Sequence, residues 1–408
     1  MQSPDDVWAA LLEMVPGRFF GHEVALQISG KIQDWFNFNA SAAKQKINSA
    51  LNSLISVEEA KMSGSRHHFI PRFLQKGFAS RSTSKDVYCW TFTKGLQPFQ
   101  PNIQNVGIET LFYSMSAETE LDDKISKEEQ DSFSPLVDKL RVGLISEEET
   151  TSIAEMLAHF EVRNQHLRSN ANILFSELMD TLVNTFTNVE FLQELLPKIM
   201  SPNSATFQKS LMKAGISRKT FKQIIKTNPE GLRECQKNIA RSVSNAIYEQ
   251  RHTMPAMIAG AIKSGHIQML NESIAPKKRV SRYSILGYSV QNYLDANLPL
   301  GDSIVLFHVA GQRKFKPFLD KSDELIAVIL PLSSGQYLLG TNCEVNVEHY
   351  SDLALEIARC SFEYFISNES SERTKKLQSE IGVNSHWLPS KAVYKIFADS
   401  LDKILEDY

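Results

Sequence analysis

One run of sequence limits the possible folds more than any other. From 150 to 186, Ile153, Leu157, Phe160, Leu167, Ala171, Leu174 and Leu178 recur at three- and four-residue spacing, the period of a helix with one apolar face. The pattern is interrupted only at Asn164, and helical periodicity then continues to about Ile274 with breaks at Pro202, Pro229 and Pro255. Strand patterns lie on either side. Residues 87–92 are β-branched and aromatic, Thr93-Lys94-Gly95 follows, and 96–103 completes a hairpin with Gly at the turn. Beyond Pro276, strands are predicted at 282–286, 303–309, 324–331 and 336–339. Strands and helices are therefore segregated rather than alternating. That predicts an α+β chain with N-terminal helices, a β-hairpin unit, a long central helical bundle at about 118–275, and a small C-terminal sheet with helices.

The remaining segments read as helices. Residues 1–65 form an N-terminal helical extension, with helices after Pro4 and at 40–57, and Ser63-Gly64-Ser65 as linker. An acidic helix spans about 119–134, capped by Ser116 or Thr119 and stopped by Pro135. A last amphipathic helix is predicted at 352–367, and residues 371–408 form a C-terminal helical tail. Boundaries at about 65 and 370 leave 66–370 as the main domain.

The chain of 408 residues exceeds a single ordinary core. It has no uninterrupted apolar run long enough to span a membrane, and Asp5 and Asp6 stand where a signal peptide carries positive charge. The four cysteines are scattered without a Cys-x-x-Cys pair, against a disulfide framework or a structural zinc site. A cytoplasmic location is the expectation. The net charge of −3 hides an asymmetry: 209–282 holds 15 Lys/Arg against four acids, and 105–161 holds 14 acids against four bases. Either 209–282 offers a polyanion such as nucleic acid a binding face, or it pairs with another segment or a protein partner. Phosphate-binding loops, a dinucleotide fingerprint, His-Glu-x-x-His and Gly-x-Ser-x-Gly are all absent.

The sharpest local signature is Arg66-His67-His68-Phe69-Ile70-Pro71-Arg72-Phe73. Adjacent histidines on an extended segment point to opposite faces, so only one of them joins a given site. A strand-borne His followed by an apolar residue and Pro is similar to the first strand of ββα-metal nucleases, where the His is general base on a metal-bound phosphodiester. The helix after the hairpin, however, carries acids instead of a ligating His. Its Glu120 and Glu128 are the candidates for holding Mg²⁺ or Mn²⁺; the alternative is a solvated face. Arg72, Arg163, Arg168 and His166 could converge on a phosphate or carboxylate, or form salt bridges to the acidic helix. Asp302 follows Gly301 at the mouth of a predicted strand, a position for a functional acid or a turn former.

These residues together resemble the bacterial domain-of-unknown-function family numbered 4238. The resemblance runs over about 66–370. It rests on His67 to Leu74 with Phe78, the hairpin at 87–103, Phe112-Tyr113, Glu120 and Glu128, Arg163 and Arg168, Leu300 to Val305, and Leu330-Pro331-Leu332. The family often has Pro after the first arginine and a Ser-Asp-x-Pro pattern near the acid; this chain has Asn164-Gln165 and Gly301-Asp302-Ser303. The resemblance implies a bacterial protein, with a place in mobile or defence-related gene neighbourhoods. Two readings stay open. In one, His67, His68, Glu120 and Asp302 are catalytic, the arginines and His166 bind a phosphate-bearing ligand or nucleic acid, and Glu120 and Glu128 hold a metal for a nuclease. In the other, the protein is a non-catalytic interaction or structural protein and the motif is a packing element.

Overall fold

Pro71 divides the first segment of the computed structural model into a strand and a helical turn. β1 (Arg66–His68) leads to it, and Pro71, with φ at −59°, starts α1 (Arg72–Gln75). The structure describes residues 66–114, 120–201, 217–295, 297–312, 314–320, 322–342 and 350–386, with Gln208 and Met212. The helices expected within 1–65, the proposed caps Ser116 and Thr119, and the helix of the tail from 390 lie outside the described residues. Two units are present: Lys61–Ile173 with Gly260–Trp387, and a second that includes Leu174–Ala259.

The larger unit continues through β2 (Arg81–Ser82), β3 (Val87–Tyr88), β4 (Trp90–Thr93) and β5 (Ile108–Thr110), then α2 (Glu120–Glu128), α3 (Ser134–Arg141) and α4 (Thr150–Arg163). α5 (Gln165–Phe186) follows at once. The smaller unit contains α6 (Val189–Ile199), α7 (Arg218–Thr227) and α8 (Pro229–Gln250), and α9 (Met254–Glu272) comes next in the chain. The larger unit then resumes with α10 (Lys277–Tyr283), β6 (Gly287–Asn292), β7 (Leu300–Gly301), β8 (Leu306–Val309), β9 (Phe315–Lys316), β10 (Leu325–Ser333), β11 (Gln336–Thr341), α11 (Leu353–Cys360), β12 (Tyr364–Ser367) and α12 (Glu372–Gln378). This is an α+β fold with several small sheets.

Its largest sheet has the order β6-β11-β10-β8-β9, antiparallel throughout. Alternation along β10 sends Val328 and Leu330 into one core and Ala327 and Ile329 into another. The first of these cores also takes Phe69, Ile70, Leu74 and Phe78 from the histidine motif, with Ile153, Leu157 and Phe160 from α4. β1 pairs antiparallel with β5, placing His67 opposite Glu109. β4 joins β12 and β7 in a three-stranded sheet. In the smaller unit, Phe186, Leu192, Leu196, Phe221 and Ile239 form the core, and Asn188 and Asn228 cap α6 and α8 through their side chains.

Local sequence rules and structure part company at several places, the first at 96–103, where only isolated bridges from Phe99 to Thr91 and from Asn102 to Tyr88 form in place of the second hairpin strand. The run at 150–186 is two helices, because Asn164 takes an extended ψ of 156°. Pro135 does not stop the acidic helix. A π-helical turn at Glu129–Phe133 carries it into α3, where Pro135 occupies the first turn and needs no amide. Residues 282–286 are not a strand: Arg279 and Arg282 belong to α10 and bond the carbonyls of Leu319, Asp320 and Asp323. The predicted last helix ends at Cys360, and Tyr364–Ser367 is the strand between β4 and β7.

The β1–β5 pairing is extended at Gly107, whose carbonyl accepts from the amides of Phe69 at 2.7 Å and Ile70 at 3.4 Å. Its φ is +66°, and a Cβ there would lie 2.8 Å from Ile70 Cβ. Gly107→Ala should therefore lower the unfolding free energy by about 2–4 kcal/mol, combining left-handed strain with overpacking. Urea denaturation measures this; a loss below about half a kcal/mol would contradict the packing described.

Candidate functional site

Two arginines five residues apart point about 140° away from each other on an uninterrupted helix. Asn164 removes that restriction. Its side-chain amide donates to the carbonyls of Phe160, Glu161 and Ser303, at 3.3, 3.2 and 3.1 Å, while its Oδ1 accepts from Leu167 N–H at 3.0 Å. One side chain thus satisfies the end of α4 and the start of α5. In this chain Asn164 makes by hydrogen bonding the break that a proline would make by sterics. Arg163 and Arg168 then both reach the strands and loop of the β1–β5 region.

Arg163 is 1% exposed and donates in several directions. Nε–H reaches Tyr113 Oη at 2.8 Å, the terminal nitrogens bond the His68 carbonyl and the Glu129 carboxylate, and one lies 3.3 Å from His159 Nε2. His159 is neutral, held near a pKa of about 4 chiefly by burial. Its Nδ1–H donates to the Ile274 carbonyl at 3.0 Å, leaving Nε2 to accept from the guanidinium. Its 3.5 Å approach to Glu129 is accordingly not an ion pair.

Arg168 repeats the design. It bonds Glu109 at 3.2 Å and the Phe112 carbonyl at 2.7 Å, with the guanidinium carbon 4.0 Å from the Phe112 ring centroid. His266 accepts from it through Nδ1 at 3.0 Å and donates through Nε2 to the Val162 carbonyl at 2.7 Å. Burial, then the adjacent Arg168 charge, lower the His266 pKa to about 4.

His67 is held differently. Its Nδ1 accepts the Tyr113 amide at 2.9 Å, and its ring stacks on the Tyr113 ring at 5.4 Å. The proton is therefore on Nε2, which has no hydrogen-bond partner among the described residues. Around it are charges: burial lowers the His67 pKa, Asp122 opposes that shift, and Lys263 and Arg163 reinforce it. Burial raises the Asp122 carboxyl, against the pull of His67 and Arg163, and lowers the Lys263 ammonium. The tyrosine amide is aimed by Leu111, a non-glycine residue with φ of +54° two positions earlier.

Several candidate residues belong to other arrangements. His68 projects from the other face of β1, with a pKa lowered to about 4 by burial and then by Arg72; it contributes its carbonyl to Arg163. Arg72 is exposed on α1. The break at Asn164 separates His166 from His159 and Arg163: it sits on α5 beside Asn170 and the Phe362 ring. Asp302 is fully buried, and its carboxylate accepts from the amides of Phe362, Glu363 and Tyr364 at 2.7, 2.6 and 3.1 Å. It closes the turn into β12. Burial raises its pKa to about 6 against those three amides.

Glu120 is exposed and Glu128 half-buried on α2. No group of three His, Cys, Asp or Glu among the described residues is arranged to hold a metal ion. The helix phase explains why other acids matter. Leu121 and Ile125 are its buried positions, and Glu129 continues that row four residues on, while Asp122 follows Leu121. An acid in register with an apolar stripe is the signal that reveals Glu129. Glu109, Lys263 and His266 are brought in by tertiary packing and carry no local signal.

A family model described as "Protein of unknown function (DUF4238)" matches residues 66–266. Residues 66–266 belong to that family. The DUF4238 stretch contains His67, His68, Tyr113, Asp122, Arg163, Arg168, Lys263 and His266, and ends before Asp302. Neither curated proteins nor solved structures give a match. No helix among the described residues is long and apolar enough to cross a membrane.

Removing the Arg163 guanidinium strands Glu129 and leaves the His68 carbonyl only the Tyr113 hydroxyl, at 3.3 Å. Arg163→Met should cost about 3–5 kcal/mol of stability in urea, and Arg163→Lys should recover little, because one ammonium cannot replace a fork of donors. The neutral histidines set an acid limit. Unfolded, each takes up a proton as pH falls below its ordinary 6.5; folded, His159 and His266 do so only near 4. Their stabilisation is complete above pH 6.5 and lost as pH falls toward 4, by up to about 3 kcal/mol each. Unfolding free energies at pH 7 and 4.5 test this; no acid loss in the wild type would refute the neutral assignment.

Proposed function

We propose that His67, Asp122 and Lys263 form a binding and acid–base site for a phosphate-bearing ligand, held in place by the two-arginine frame. The observation that carries this reading is the fixed imidazole. Its Nδ1 is occupied by a backbone amide and its ring is stacked, so Nε2 is presented in one tautomer and one orientation. Such fixation is what a general acid or base requires. Asp122 and Lys263, with burial shifting the acid up and the amine down, supply the separation of titrating groups common at functional sites. Lys263 and the His67 Nε2–H are donors for phosphate oxygens, and Asp122 supplies a carboxylate whose charge acts on His67.

This reading keeps the phosphate-bearing ligand expected from the sequence and drops Glu120, Glu128 and Asp302 from its chemistry. His68 and Arg163 serve as frame. The purely structural reading of the motif accounts for Arg163, yet gives no role to the unpartnered Nε2 of His67 or to the buried, unpartnered Nε2 of His68.

Calorimetric titration of the full chain with inorganic phosphate, mononucleotides and short oligonucleotides tests the site. His67→Gln, Asp122→Asn and Lys263→Met should keep the fold and weaken binding by about tenfold or more, the worth of one charge-assisted bond. Binding that is indifferent to all three would end the proposal. So would a His67→Gln protein as destabilised as Arg163→Met, which would make His67 another packing element.

A further inference from the structure

The acidic and basic residues of the smaller unit are distributed unevenly. Between Glu194 and Glu230 the sequence has seven Lys/Arg and no acid, where about four acids would be expected at the chain's own average of 47 in 408. α7 lies within that stretch and reads Arg218-Lys-Thr-Phe-Lys-Gln-Ile-Ile-Lys-Thr227. Phe221 is fully buried and Ile225 packs beside it in the unit's core. Lys219, Lys222 and Lys226 are exposed at i, i+3 and i+7, one face of the helix.

An ordinary solvated face carries acids at i−4 or i+4 from its lysines. α7 has none. Lys222 and Lys226 stand four apart, and Arg218 stands four before Lys222, like-charge spacings that weaken a helix. Among the described residues Lys219, Lys222 and Lys226 have no ion-pair partner. α8 shows the contrast, since its Arg233, Lys237 and Arg241 are interleaved with Glu230, Glu234 and Glu249. Two other arginines of the basic segment are already engaged: Arg279 is bonded to Glu161 and the Leu319 carbonyl, and Arg282 to the carbonyls of Asp320 and Asp323.

We infer that the Lys219-Lys222-Lys226 face of α7 binds the phosphate backbone of a nucleic acid. The spacing suits that partner. Seven residues of helix rise about 10 Å, a span that covers about three phosphates of one strand at roughly 3.4 Å each. The three ammonium groups are flexible point charges with no aromatic or forked donor between them on the exposed face, so they grip backbone without reading sequence. This interaction does not rest on the His67 site.

The test is fluorescence anisotropy of the full chain with labelled single-stranded and duplex oligonucleotides of mixed sequence, from 50 to 200 mM KCl. The wild type is expected to bind either probe with an affinity that falls linearly on a log–log salt plot. K219Q/K222Q/K226Q, with circular dichroism unchanged, should weaken binding at least tenfold. It should also reduce the salt slope by about 2–3, since each phosphate neutralised by a lysine adds about 0.7–0.9 to that slope. R233Q/R241Q should leave the slope unchanged. The proposal is overturned if the wild type does not bind nucleic acid, if the triple variant keeps the wild-type slope, or if only anionic lipid vesicles bind the face.

Discussion

A buried guanidinium holds the family motif together. Arg163 meets a strand carbonyl, a tyrosine hydroxyl, a carboxylate and a neutral imidazole, and these belong to β1, the loop after β5, the turn after α2, and α4 itself. Desolvating such a cation is costly unless its hydrogens find acceptors, and here the acceptors come from elements distant in sequence. The carbonyl of His68 is fixed by the same bond. That in turn sets the direction of His67, whose nitrogen meets the amide of Tyr113. Packing of Phe69, Ile70, Leu74 and Phe78 into the core follows from the same placement of the strand.

Much of this architecture can be read from residues near one another in sequence. The helical period through Ile153 and Leu174, the turn at Gly95 and the strand runs around Val328 and Leu338 are local patterns, and the elements form there. Asn164 is visible as an interruption, but its consequence depends on a carbonyl at Ser303 that no local pattern indicates. Pro135 has the look of a helix stop; in the first turn of α3 its missing amide costs nothing. Residues 282–286 have the composition of a strand, yet the arginines of α10 find carbonyls at 319–323, the helix runs to Tyr283, and the strand begins only at Gly287.

The candidate site is legible in part. The paired histidines and the paired arginines stand out, and both pairs meet across β1 and β5. The acids are harder. Glu120 and Glu128 are conspicuous as charges, whereas Asp122 and Glu129 matter because the phase set by Leu121 and Ile125 carries them inward. Asp302 shows the opposite failure: an acid at a strand mouth whose carboxylate is used up by three amides of a neighbouring turn. Charge counts alone do not separate a chemical group from a capping group; the number of backbone amides around it does.

The bond between Arg163 and the His68 carbonyl joins residues 95 apart in sequence. During synthesis at about 5–20 residues per second, the motif leaves the ribosome roughly 5–20 s before the guanidinium that secures it. Through that interval Phe69, Ile70 and Phe78 have no complete core to enter, and β1 with β5 is a two-stranded ribbon, marginal in water by itself. The motif that marks this family is thus the earliest made part of the described fold, and it is complete well before the arginine that secures it.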